Sequence, residues 1–210
     1  MAIEEVQREL PAVPERAHPD PHDTHTGVVN PKLGMWLFLS SDCLFFGAFI
    51  STFLLYRDRG GQAGPTPADV FNIPFTSVTS FILLMSSLTM VLALSAIQRG
   101  ELRRFQIWIM ATALFGATFI GGQIFEFTEF TRQGLNLDTS LFGSSFYVLT
   151  GLHGAHVAIG IVWLVSLWGL AQQGRLKQEH SERVEVAGLY WHFVDVVWIV
   201  IFTVIYLIPK

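Results

Sequence analysis

A single cysteine, Cys43, stands in 210 residues, so no internal disulfide can form and a thiolate metal cluster lacks its sulfur. It falls inside an apolar run and is expected as a small buried side chain. Charge is scarce as well: 14% of residues are Asp, Glu, Lys or Arg, and the net charge is -4. No basic patch interleaved with aromatics occurs, which argues against nucleic acid as a partner. The chain has no Gly-rich phosphate loop ahead of a helix, no internal repeat, and no polar stretch long enough to hold a soluble core. Residues 1–30 carry Pro11, Pro14, Pro19 and Pro21 among Glu, Arg, His and Asp, with neither a basic n-region nor an apolar h-region. They read as a disordered tail and not as a signal peptide.

What is abundant is apolar surface. Hydrophobic residues make up 51% of the chain, with 18 Phe and 6 Trp, the composition of a polytopic membrane protein. A helix needs about 20 mainly apolar residues to cross a bilayer, and such windows lie at about 33–56, 74–97, 105–130, 141–171 and 187–208. The expected fold is all-α, a bundle of five transmembrane helices in residues 31–210 behind the tail. Arg57 to Pro67 and Gln133 to Thr139 read as outer connections, Gln98 to Arg104 as a tight inner turn, and Gln172 to Val184 as a longer polar inner one. Nine of the 13 Lys and Arg fall in the tail and the two inner connections. The positive-inside rule then puts the N-terminus in the cytoplasm, or the matrix of an organelle, and the C-terminus outside.

Against this background the polar residues stand out, because an ionisable group in a membrane span marks a function or a specific protein contact. Tyr190-Trp191-His192-Phe193-Val194-Asp195-Val196-Val197-Trp198 sets an imidazole and a carboxylate three residues apart on one helical face, close enough to pair. His153 and His156 repeat that spacing near the middle of the fourth window, beside Gly151 and Gly154, which allow close helix approach. Asp42 lies in the first window at a depth comparable to that of Asp195, with no basic neighbour, and must be protonated, face a partner or face water. Glu126 and Glu129 sit at the outer end of the third window, where headgroups can solvate them. Trp36, Trp191 and Trp198 are expected to face lipid.

Two blocks carry a family resemblance. Phe142-Gly143-Ser144-Ser145-Phe146-Tyr147-Val148-Leu149-Thr150-Gly151-Leu152-His153-Gly154-Ala155-His156-Val157, followed by the Tyr190–Trp198 block, resembles subunit III of the haem-copper oxidases. Gln123-Ile124-Phe125-Glu126 and Glu185, ahead of the last expected helix, are similar to further family positions, and the likeness spans about residues 33–208. It implies a subunit without haem or copper of its own in a proton-translocating oxidase of aerobic electron transport. Haem and copper would reside in partner subunits, with this chain packed on subunit I, near subunit II and other oxidase subunits, and binding phospholipid. By the same resemblance Asp42, Glu126, His153, His156, Glu185, His192 and Asp195 would serve structure, subunit I contact or proton uptake, and the chain would hold no catalytic residue and no metal. Many members have Ser-Glu where this chain has Ser41-Asp42. Asp at that step also resembles the quinol-oxidase branch, so the electron donor stays open between cytochrome c and quinol. The chain resembles the five-helix form of the family. The implied location is a bacterial plasma membrane, multi-pass, within a complex that can join a larger respiratory supercomplex.

The residues by themselves leave two other classes open. One is a membrane cytochrome in which His153 or His156 pairs with His192 on a haem. The other is a proton-coupled transporter with an intramembrane Asp, Glu and His relay.

Overall fold

The computed structural model describes residues 30–56, 72–134 and 141–208. The chain divides into two units, Met1–Gly34 and Met35–Lys210; of the first, only the opening turn of one helix is described, and the expected tail otherwise lies outside the described residues. Arg57–Pro67 and most of Gln133–Thr139, the two expected outer connections, also lie outside them.

Five helices are long and apolar enough to cross a membrane, and no strand occurs among the described residues. They are α1 (Asn30–Tyr56), α2 (Ile73–Gln98), α3 (Leu102–Arg132), α4 (Leu141–Gln172) and α5 (Ser181–Phe202). A 3-10 turn, Gln178–His180, leads into α5, and a π turn, Thr203–Leu207, extends it. The last helix therefore begins well before residue 187. Glu182, Arg183 and Glu185 belong to its first turns, and the connection after α4 is shorter than expected. Burial of Val184, Val186, Ala187 and Gly188 against the bundle explains the difference: packing extends the helix past the end of the apolar window.

Local chemistry sets the ends. Asn72 caps α2, its Oδ1 accepting from the Phe75 N–H at 3.2 Å, and Pro74 occupies the first turn, where a missing N–H costs nothing. Gly100, at φ 76°, closes α2 and allows the Glu101 N–H to return to Ala96 O at 2.9 Å. Gln178 adds a bond from its Nε2 to the Gln98 carbonyl at 2.7 Å, tying the two turns on this basic side together.

Helices α2, α3, α4 and α5 form a closed ring, α2 against α3 and α5, and α4 against α3 and α5. Helix α1 is attached differently, with no comparable backbone interlock. Its buried Leu39, Phe46 and Phe53 repeat every seven residues, and Asp42 and Phe49 fill the intervening steps of the same stripe. Phe46 reaches the His156 ring of α4 (5.1 Å between centroids) and Phe38 reaches Tyr190 of α5 (6.4 Å). That stripe turns Cys43 outward: it is exposed, not buried as expected.

Trp36 is 55% exposed on α1, but Trp191 and Trp198 do not face lipid; they are 1% and 2% exposed. Glycines make the room. A Cβ on Gly116 would lie 2.6 Å from the Trp191 ring and one on Gly160 would lie 2.8 Å from it. The Trp198 ring meets Phe119 edge-on and lies against His153. The outward faces are apolar instead, with Leu44, Phe81, Ile107, Ile124, Val162 and Val196 all exposed.

Candidate functional site

Hydroxyls and indoles are held in lipid only if their hydrogen bonds are satisfied within the protein, and α5 shows how this chain does it. Tyr190 donates its hydroxyl to His156 O of α4 at 2.9 Å, and Trp191 donates Nε1–H to Ser86 Oγ of α2 at 2.9 Å. His153 Nε2 donates to Val194 O at 3.2 Å, which fixes its tautomer, and Trp198 donates Nε1–H to Ser80 Oγ at 2.8 Å. Between the two indole bonds, Ser87 Oγ lies 2.8 Å from His192 Nδ1 and hydrogen-bonds Asp195 Oδ2. The Tyr190–Trp198 block is thus a run of interhelical bonds that staples α5 to α2 on one side and α4 on the other.

His192 and Asp195 share a face as expected, yet they meet through Ser87 of another helix. Asp195 is 3% exposed, and its Oδ1 is buried with no hydrogen-bond partner. His153 is fully buried, and its Nδ1 likewise has none.

A second pair flanks α5. His156 Nδ1 lies 2.9 Å from Leu152 O, and since a carbonyl only accepts, that nitrogen carries a hydrogen. The other nitrogen, Nε2, faces Asp42 Oδ2 at 3.5 Å, with both side chains largely buried. Asp42 Oδ2 is buried with no hydrogen-bond partner, so the His156 ring is the polar group that answers it. The two carboxylates, Asp42 and Asp195, do not meet: Asp42 faces His156 and Asp195 bonds Ser87.

Glu126 and Glu129 part company. Glu126 is 7% exposed and accepts from Thr76 Oγ1 of α2, so it belongs to the interior. Glu129 is at the surface, bonded to Gln133 Nε2 at 3.0 Å and 3.9 Å from Arg132. Gln123 donates Nε2–H to Thr150 O at 2.7 Å, joining α3 to α4. Gly154 makes that possible, since a Cβ there would lie 2.6 Å from Gln123 Oε1, whereas Gly151 has open space. Glu185 is half-buried on the basic-turn side of α5, roughly 15 Å along the helix from Asp195 at 1.5 Å per residue.

Sequence reasoning missed the α2 partners Thr76, Ser80, Ser86 and Ser87. The signal was present: α2 has no Asp, Glu, Lys, Arg or His, yet its hydroxyls recur at helical spacing, as on a helix that presents small polar residues to its neighbours. Among the described residues, no group of three or more His, Cys, Asp or Glu is arranged to hold a metal ion.

The profile of the family described as "Cytochrome c oxidase subunit III" matches residues 20–209. The "Cytochrome c oxidase subunit 3" of Bacillus sp. (strain PS3) is 39% identical over 94% of this chain and 92% of its own length. That of Alkalihalophilus pseudofirmus is 42% identical over 94% of this chain and 93% of its own. A "Probable quinol oxidase subunit 3" of Staphylococcus saprophyticus is 37% identical over 88% and 92%. The matched span takes in all five helices and every polar bond just described, and the chain belongs to the cytochrome c oxidase subunit III family.

Proposed function

We propose that this chain is a redox-silent accessory subunit of a proton-pumping haem-copper terminal oxidase in a bacterial plasma membrane. In that complex, partner subunits carry haem and copper and reduce oxygen to water. This bundle packs on the flank of subunit I, keeps the proton entrance organised and holds phospholipid that excludes stray water. Its N-terminus faces the cytoplasm and its C-terminus the outside.

The observation that carries this reading is the run of bonds along α5. Tyr190, Trp191, His192, Asp195 and Trp198 all spend polar groups on neighbouring helices. Each such bond contributes only about 0.6–2 kcal/mol in a membrane, so a set of them serves to hold one fixed arrangement. His153 and His156 commit one nitrogen each to a backbone carbonyl, which supports a positioning role over haem ligation. Relatives bear both the cytochrome c and the quinol oxidase names, so the class of complex is common ground and the donor is a matter for assay.

The experiment is mild-detergent purification through this chain, followed by identification of the companion subunits, an optical spectrum, and oxygen consumption with quinol or reduced cytochrome c. Companions bearing haem and copper, with no Soret absorption from the isolated chain, are expected. A Soret band carried by the isolated polypeptide, or transport activity without companions, overturns the reading.

A further inference from the structure

The hydroxyl of Ser87 sits between His192 Nδ1 and Asp195 Oδ2. A serine hydroxyl has one proton, so it can donate to only one of them, and the other must donate to it. The same heavy atoms therefore support two hydrogen-bond directions. In one, Asp195 Oδ2–H donates to Ser87 and Ser87 donates to a neutral His192. In the other, an imidazolium Nδ1–H of His192 donates to Ser87 and Ser87 donates to the Asp195 carboxylate.

Three further observations bear on this cluster. The helices α2 and α5 are already joined on either side of it by the neutral bonds Trp191–Ser86 and Trp198–Ser80, so fastening them does not require ionisable groups. Among the described residues no cation lies within ion-pair distance of Asp195. Burial is also graded: Asp195 is enclosed, whereas Ser87 and His192 are partly exposed. The same two helices expose Leu88 and Val91 of α2 and Val196, Ile199 and Val200 of α5.

Other titratable groups near this stretch are few. Helix α2 has none, α3 presents Gly116 and Phe119 to α5, and α4 presents His153, engaged with Val194 O. Helix α1 meets α5 through Phe38, its Asp42 being paired with His156.

We propose that Ser87, His192 and Asp195 form a one-proton relay between an enclosed carboxyl and the α2/α5 surface. In the transfer the Asp195 Oδ2–H bond breaks as a new Ser87 Oγ–H bond forms, the original Oγ–H bond breaks, and His192 Nδ1–H forms. Charge moves from a neutral acid and neutral base to a carboxylate and imidazolium, with no change in electrons or in total protons. His192 Nε2–H then releases a proton to water or to a partner's acceptor at that surface. Its use in supplying protons to an oxidase rests on the function proposed above; the relay itself rests on the geometry.

The test is infrared spectroscopy of the purified complex, following deuterium exchange of protonated-carboxyl bands. The native complex is expected to show one exchangeable carboxyl band that shifts in Asp195→Glu. Ser87→Ala should slow its exchange at least about tenfold, the effect of removing one positioned proton carrier, and Ser87→Thr should restore it. An interhelical bond serving structure alone predicts that Ser87→Ala, by loosening the α2/α5 contact, exchanges as fast as or faster than the native complex, and that result overturns the relay. So does a native complex without any such band, a measurement that needs no variant to fold. If haem- and copper-bearing companions are present and the band is absent, the relay fails and the oxidase reading stands. If the band behaves as expected but no companions are found, the oxidase reading fails alone.

Discussion

The ring of Trp191 occupies the space that a side chain on Gly160 would need: a Cβ there would lie 2.8 Å from the indole. Gly116 of α3 meets the same ring from another helix, so one tryptophan of α5 sets the approach of two neighbours at once.

Gly160→Ala is accordingly expected to destabilise the bundle by about 1–3 kcal/mol, the range for overpacking a filled core. Gly169→Ala on the same helix, where no atom lies within 4 Å, should be neutral or slightly stabilising. Loss of helical circular dichroism on heating in detergent compares the two; equal midpoints would show that the ring yields freely.

The indole bond can be separated from the packing. Trp191→Phe and Ser86→Ala each remove one partner of a 2.9 Å hydrogen bond, and a double-mutant cycle should give a coupling of about 0.6–1.7 kcal/mol. A coupling near zero would reduce this contact to shape alone.

For the Asp42–His156 pair, removing one member should be worse than removing both. Asp42→Leu leaves His156 Nε2 facing an apolar group, at about 1–3 kcal/mol, and should lower the yield of assembled complex or cause activity to decline during continuous turnover. Changing both residues to Leu should recover most of the stability, as for other buried pairs replaced by apolar residues. Denaturation midpoints of the single and double variants decide the matter; a double variant weaker than Asp42→Leu contradicts it.

Cys43 offers a reporter on α1. It is exposed in the isolated chain, and if the outward face of α1 lies against a partner subunit, a small apolar maleimide should label it several-fold more slowly in the complex. Equal labelling rates would place that face toward lipid.

The five spans were legible because length and apolarity are summed over many residues, and no single contact can cancel that signal. Helix ends were less so. Val184 to Gly188 are drawn into α5 by neighbours far along the chain. The chemically interesting residues were also visible, since Asp42, His153, His156, His192 and Asp195 each contradict their surroundings. Their partners were not, because a serine on an apolar helix looks the same whether its hydroxyl only donates to its own backbone, as Ser77 does to Ile73 O at 2.7 Å, or also accepts from an indole across the interface, as Ser80 does. The tryptophans failed for a related reason: an indole suits a lipid boundary, and only Gly116 and Gly160, on other helices, reveal a cavity shaped for Trp191.

The seating of α1 has a consequence for biosynthesis. It is the first of the five spans to leave the ribosome, yet the imidazole that answers its carboxylate lies on the fourth and the ring beneath Phe38 on the fifth. Until those arrive, the nascent chain holds an orphan acid in the bilayer, so a product truncated after α3 carries a built-in sign of incompleteness that membrane proteolysis can act on.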